Sequence, residues 1–117
     1  SEKNIEFAIR APELSLQFCS LLYICLQKVE QSPQALRVQE GEDTTINCSF
    51  TEFSQSLQWF RQDPGKGLIS LFYLTSEMKE KGRFRSTIIL KERHSSLYID
   101  ASQPSDSATY LCAVRAQ

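Results

Sequence analysis

The chain has one histidine, one methionine and one tryptophan among its 117 residues, and only four each of glycine, proline and cysteine. These shortages exclude most chemistry. The lone histidine, His94, stands in the charged run Lys91-Glu92-Arg93-His94, a hairpin tip by its pattern. Nothing places a serine or cysteine beside it, as a nucleophile–base pair requires. A metal site would need further imidazoles or uncommitted thiols, and a phosphate site a glycine-rich loop; neither pattern occurs. No cofactor and no enzymatic activity are therefore expected. The formal net charge of −1 gives no electrostatic pull toward nucleic acid or an anionic membrane. No apolar run reaches the roughly 18 residues of a membrane helix, so any anchor is expected outside these residues. What remains is a binding module.

Much of the rest reads as short β-strands. A chain of this length, 41% hydrophobic, suits one all-β domain with a single core. In Thr45-Ile46-Asn47-Cys48-Ser49-Phe50 the apolar residues alternate, so Ile46, Cys48 and Phe50 share a face. In Thr109-Tyr110-Leu111-Cys112, Tyr110 and Cys112 do the same. Trp59 lies between the two cysteines in Leu57-Gln58-Trp59-Phe60-Arg61-Gln62. A cysteine pair across two packed sheets with a tryptophan against it is the core of an immunoglobulin sandwich. The competing reading is four unrelated cysteines in another β protein. On the sandwich reading Cys48 and Cys112 form a disulfide, which places the chain in an oxidising compartment. Such a bridge contributes roughly 4 kcal/mol in the chain-entropy model. Tyr110 then hydrogen-bonds back to the turn before its strand, as a tyrosine corner.

Two stretches carry a narrower resemblance. Residues 57–68, Leu-Gln-Trp-Phe-Arg-Gln-Asp-Pro-Gly-Lys-Gly-Leu, and residues 106–115, Asp-Ser-Ala-Thr-Tyr-Leu-Cys-Ala-Val-Arg, resemble a T-cell receptor alpha-chain variable segment. The likeness runs from about Lys28 to Arg115. It implies an immunoglobulin V-type Greek-key sandwich over residues 28–117, lacking its last strand, since no Phe-Gly-x-Gly follows Cys112. The chain thus resembles a germline, unrearranged segment, and the edge beside Leu111 is expected to be open and aggregation-prone.

The resemblance assigns roles residue by residue. Arg83 and Asp106 would pair at the bottom of the sandwich. By strand parity, Phe60 and Gln62 point away from the core, with Leu68 after the turn, as an apolar patch that a lone domain would avoid. The resemblance makes it the face for a T-cell receptor beta chain, with Gln62 bonding a matching glutamine. Glu52-Phe53-Ser54-Gln55-Ser56, Leu74-Thr75-Ser76-Glu77-Met78 and Ala113-Val114-Arg115 would form the loops that contact a peptide–MHC ligand. Phe53 and Met78 are the expected apolar anchors. The whole receptor would sit on the outer face of the plasma membrane, with signalling subunits reached through a constant region. Use in a delta chain, or a non-rearranging V-type adhesion domain, are the alternatives. Asn47-Cys48-Ser49 also matches the glycosylation sequon, with Asn47 pointing away from the core.

Residues 1–27 fit neither the strands nor the resemblance and are expected to lie outside the domain, as an atypical leader or translated intron, with a structured N-terminal element as the remaining alternative. The apolar stretch from Leu14 to Leu26 is broken by Ser15, Gln17 and Ser20, follows three acids, and ends without a small-residue cleavage site. Leu21-Leu22-Tyr23-Ile24-Cys25-Leu26-Gln27 reads like a translated pyrimidine tract closing in CAG. Cys19 and Cys25 would be ~20 Å apart on a strand and ~9 Å on a helix, too far in either to bond each other.

Overall fold

The computed structural model describes residues 6–10, 29–33, 35–51 and 54–114. They form two five-stranded sheets packed face to face. The back sheet has the order β2-β4-β9-β8-β7, from β2 (Val29–Ser32), β4 (Thr44–Phe50), β7 (Lys79–Lys81), β8 (Phe84–Ile89) and β9 (His94–Ile99). The front sheet runs β3-β1-β10-β5-β6, from β1 (Glu6–Arg10), β3 (Ala35–Gln39), β5 (Leu57–Gln62), β6 (Leu68–Leu74) and β10 (Ala108–Val114). All pairings are antiparallel except that of β1 with β10.

Alternation builds the core. In β4, Thr44, Ile46, Cys48 and Phe50 are buried while Thr45 and Ser49 are exposed. From the facing sheet come Leu57, Trp59, Phe72, Leu74, Tyr110, Cys112 and Val114, and β8 and β9 add Ile88, Leu97 and Ile99. Burying each large apolar side chain contributes about 1.5–3 kcal/mol. The Cys48–Cys112 disulfide joins the sheets across this core. Trp59 lies beside it with no exposed surface, and its indole Nε1–H donates to Ser95 Oγ at 3.0 Å. That bond removes the penalty of burying the indole nitrogen.

The chain changes sheets at Pro33, with β2 on β4 and β3 in the front sheet. Proline cannot donate to a ladder, so the ladder breaks at this point. His94 is not at a hairpin tip. The tip is a short 3-10 turn, Leu90–Glu92, closed by Arg93 in the left-handed region (φ 55°), and His94 opens β9. Finally, Glu6–Arg10, assigned from the sequence to a segment outside the domain, is a strand of the front sheet between β3 and β10. An uncovered β10 edge offers unpaired N–H and C=O groups, and β1 meets part of it. Cys19 and Cys25, with the remainder of residues 1–27, lie outside the described residues.

Candidate functional site: the outer front face and the loop end

The front sheet has a second apolar cluster on the side away from the core. Leu111 and Ala113 are buried there, with Phe60 and Leu68 packed on them half-buried. Register explains the grouping: Leu111 stands opposite Phe60, Ala113 opposite Gln58, and Gln62 opposite Leu68, so these positions share one face. Tyr73, opposite Gln58, extends the face and is 48% exposed. A bulge passes Leu71 between the Trp59–Phe72 and Phe60–Ser70 pairs, and sequence parity did not register that Tyr73 joins this face. Phe60, Gln62 and Leu68 are thus brought together as expected by parity. The face is less open than expected, because Leu111 and Ala113 fill its centre. Gln62 Nε2 donates to Lys66 O at 2.9 Å, within the turn that Asp63-Pro64-Gly65-Lys66 makes.

The opposite face of the molecule differs in character. On the outside of the back sheet, Thr45, Tyr98 and Arg85 stand in one row, and Asn47, Ser96 and Thr87 in the next. The Arg85 guanidinium lies 4.7 Å over the Tyr98 ring. Asn47 is half-buried, and its Oδ1 accepts a bond from Ser96 Oγ at 2.8 Å; His94 Nε2 is 3.2 Å from that same hydroxyl.

At one end of the sandwich Val114, Leu57 and Leu74 fall in register, so residues 54–56, the 75–78 loop and the end of β10 lie together. Not every residue assigned there can touch a ligand. Leu74 and Val114 are core residues, Ala113 is buried on the outer face, and Ser54 and Ser56 are buried, with Ser54 Oγ donating to Ser56 O at 2.9 Å. The accessible ones are Gln55, Thr75, Ser76, Glu77 and Met78, the last 51% exposed. Glu52, Phe53 and Arg115 lie outside the described residues.

The other end is closed by ionic and hydrogen bonds. The Arg83 guanidinium meets the Asp106 carboxylate through two bonds, of 2.7 and 2.8 Å, so the pair assigned by resemblance is present. Arg83 also donates to the Asp100 and Ala101 carbonyls. Burial pushes the Asp106 carboxyl up, but the Arg83 hydrogen bond, the Gln103 N–H and the nearby arginine charges outweigh it and hold it below the usual range. The hydrogen bond to Asp106 raises Arg83 in turn. Tyr110 donates its hydroxyl to Asp106 O at 2.5 Å, the expected tyrosine corner, and burial pushes that phenol well above its ordinary value. Arg61 was not singled out from the sequence. It bonds Asp63 at 2.8 and 3.0 Å, donates to Ser105 O, and stacks 5.8 Å over the Tyr110 ring. The alternation Arg61-Gln62-Asp63 could have revealed it, since residues two apart on a strand share a face. Gln31 had no such signal. Its amide donates to Tyr110 O at 2.8 Å and accepts from Cys112 N–H at 2.9 Å, bridging from the back sheet to the β10 edge.

Two sheets tied by one disulfide, a buried tryptophan and a tyrosine corner define the class, and the V-set immunoglobulin domain model matches residues 31–117. The chain belongs to the immunoglobulin V-set family and, within it, to the T-cell receptor alpha variable domains. It is 56% identical over 88 residues to human T cell receptor alpha variable 41, covering 75% of this chain and 79% of that protein. Against human T cell receptor alpha variable 24 it is 45% identical over 115 residues, covering 96% of this chain and 98% of the relative, so that alignment takes in most of residues 1–27. The mouse T-cell receptor alpha chain V region 2B4 is 48% identical over 92 residues, covering 75% of this chain and 68% of its own.

Proposed function

We propose that this domain recognises antigen as the variable part of a T-cell receptor alpha chain. It pairs through the outer front face with a T-cell receptor beta chain and turns its loop end to a peptide held by an MHC molecule. The observation that carries this reading is the contrast between the two outer faces. Phe60, Leu68, Leu111, Ala113 and Tyr73 give the front an apolar centre, while the corresponding rows of the back are Thr, Asn, Ser, Arg and Tyr. Interface centres are depleted in charge and enriched in aromatic residues, as this face is. Pairing there would exchange the Gln62–Lys66 bond for one across the interface. The domain acts as a binding module rather than an enzyme, outside the cell, as one part of a receptor whose signalling subunits contact other segments.

The test is co-expression with a beta chain, the alpha domain being joined to a constant region. Phe60→Glu with Leu68→Glu should cut heterodimer recovery at least roughly tenfold, because unpaired charge would be buried at the interface centre. Thr45→Glu, on the back, should leave it unchanged. Equal recovery from both variants, at equal domain melting temperature, would refute the pairing face.

A further inference from the structure

On one side of the sandwich β6 ends the front sheet and β7 ends the back sheet, and an open cleft of about 410 Å³ runs there. Its floor is apolar, from Leu71 and Phe72 of β6 and Phe84 of β8. Phe72 is buried, and Leu71 and Phe84 are half-buried. Among the described residues, the ionisable side chains that line it are Arg61, Lys81 and Arg83, all cationic. The carboxylates that pair with the two arginines, Asp63 and Asp106, are not part of that lining.

The three cations play different parts. Arg61 and Arg83 are fixed by their ion pairs, yet their side chains keep 18% and 31% of their surface exposed. Arg61 also keeps its Nη1 without a hydrogen bond among the described residues. Lys81 is exposed and, among the described residues, has no ion pair. Closing the end of the sandwich explains the two arginines. It explains neither Lys81 nor the apolar floor beside it. A cleft lined by charge of one sign concentrates ligands of the other sign. A mostly apolar lining with a few convergent polar groups is the pattern of small-molecule sites, and the volume lies within their usual range.

We propose that this cleft binds a small amphiphilic anion. Its carboxylate or sulfonate head sits among Arg61, Lys81 and Arg83, and its apolar tail lies on Leu71, Phe72 and Phe84. Two cations are set in place by the fold, so little is lost in ordering them, and Lys81 supplies the charge that no carboxylate of the domain offsets. None of these residues belongs to the outer front face or the loop end, so the inference is independent of chain pairing and of antigen.

Amide NMR of the full chain, titrated with sodium decanoate below its micelle concentration, tests it. Saturable shifts should appear at residues 71–72 and 81–84. Acetate carries the head without the tail, and decanol the tail without the head; each should bind at least roughly tenfold more weakly. Lys81→Glu should weaken decanoate at least roughly tenfold at unchanged melting temperature. Lys91→Glu, the same change of charge beyond the far end of β8, should match the parent. Shifts confined to the outer front face at Phe60 and Leu68 would overturn the site. So would acetate or decanol binding as tightly as decanoate, or equal decanoate affinity in Lys81→Glu and the parent.

Discussion

The two ends of the sandwich are built on opposite plans. At one, Asp106 is 2% exposed and receives Arg83 and the Gln103 N–H on its carboxylate, while its backbone carbonyl takes the Tyr110 hydroxyl. At the other, residues 75–78 are all exposed and, among the described residues, carry no ion pair. Side chains at the first end are spent on one another. Those at the second are left for something else. The same two sheets hold both ends, so the difference lies in side-chain chemistry rather than backbone. A rigid, internally satisfied end is what allows loops at the far end to vary without loss of the fold.

Four substitutions or conditions would break or sharpen that contrast, in falling order of effect. Asp106→Ala should lower the unfolding free energy by about 3 kcal/mol, since it strands the Arg83 guanidinium and an orphan Gln103 N–H. Denaturant titration measures this, and a loss below about 1 kcal/mol would mean the pair is only a surface contact. Tyr110→Phe should cost about 1–2 kcal/mol by deleting one buried hydroxyl bond without opening a cavity. Acid should act on the same end. The Asp106 carboxyl is held below its ordinary 3.8, so its contribution is complete above that value and is lost as pH falls through the lower folded one. Melting followed from pH 7 downward should show a decline beginning near that ordinary value, and Asp106→Asn should flatten it. Smallest of all, Met78→Ala at the loop end should change stability by less than about 0.5 kcal/mol. A larger loss would show that the loop end also holds the fold together.

How far these features could be read from the sequence depended on whether the signal was local. The alternation around Cys48 and Cys112 and the punctuation of Asp63-Pro64-Gly65 marked strands and turn where the structure has them. Tyr110 and Trp59 were legible because their spacing from the cysteines is part of one packing arrangement. The Arg83–Asp106 pair was reached only through resemblance, since nothing in residues 23 positions apart announces contact. Leu74, Ser54 and Ser56 were counted with the loops because they border them, although their side chains point inward. The sheet switch at Pro33 and the Gln31 amide are tertiary facts without a periodic trace. In Glu6–Arg10 the alternation is present, yet the broken apolar stretch downstream sets the whole segment apart as an atypical leader or translated intron. Only pairing with β3 gives those five residues a place.

The most direct test of the division between the ends is a hydrogen-exchange footprint of the assembled receptor, with and without a peptide–MHC ligand selected for binding to it. The account predicts slowed exchange in the 51–56 and 75–78 loops and just beyond β10, with residues 100–108 unchanged. Protection appearing at the Asp106 end or across the outer back sheet, with the loops unaltered, would contradict it.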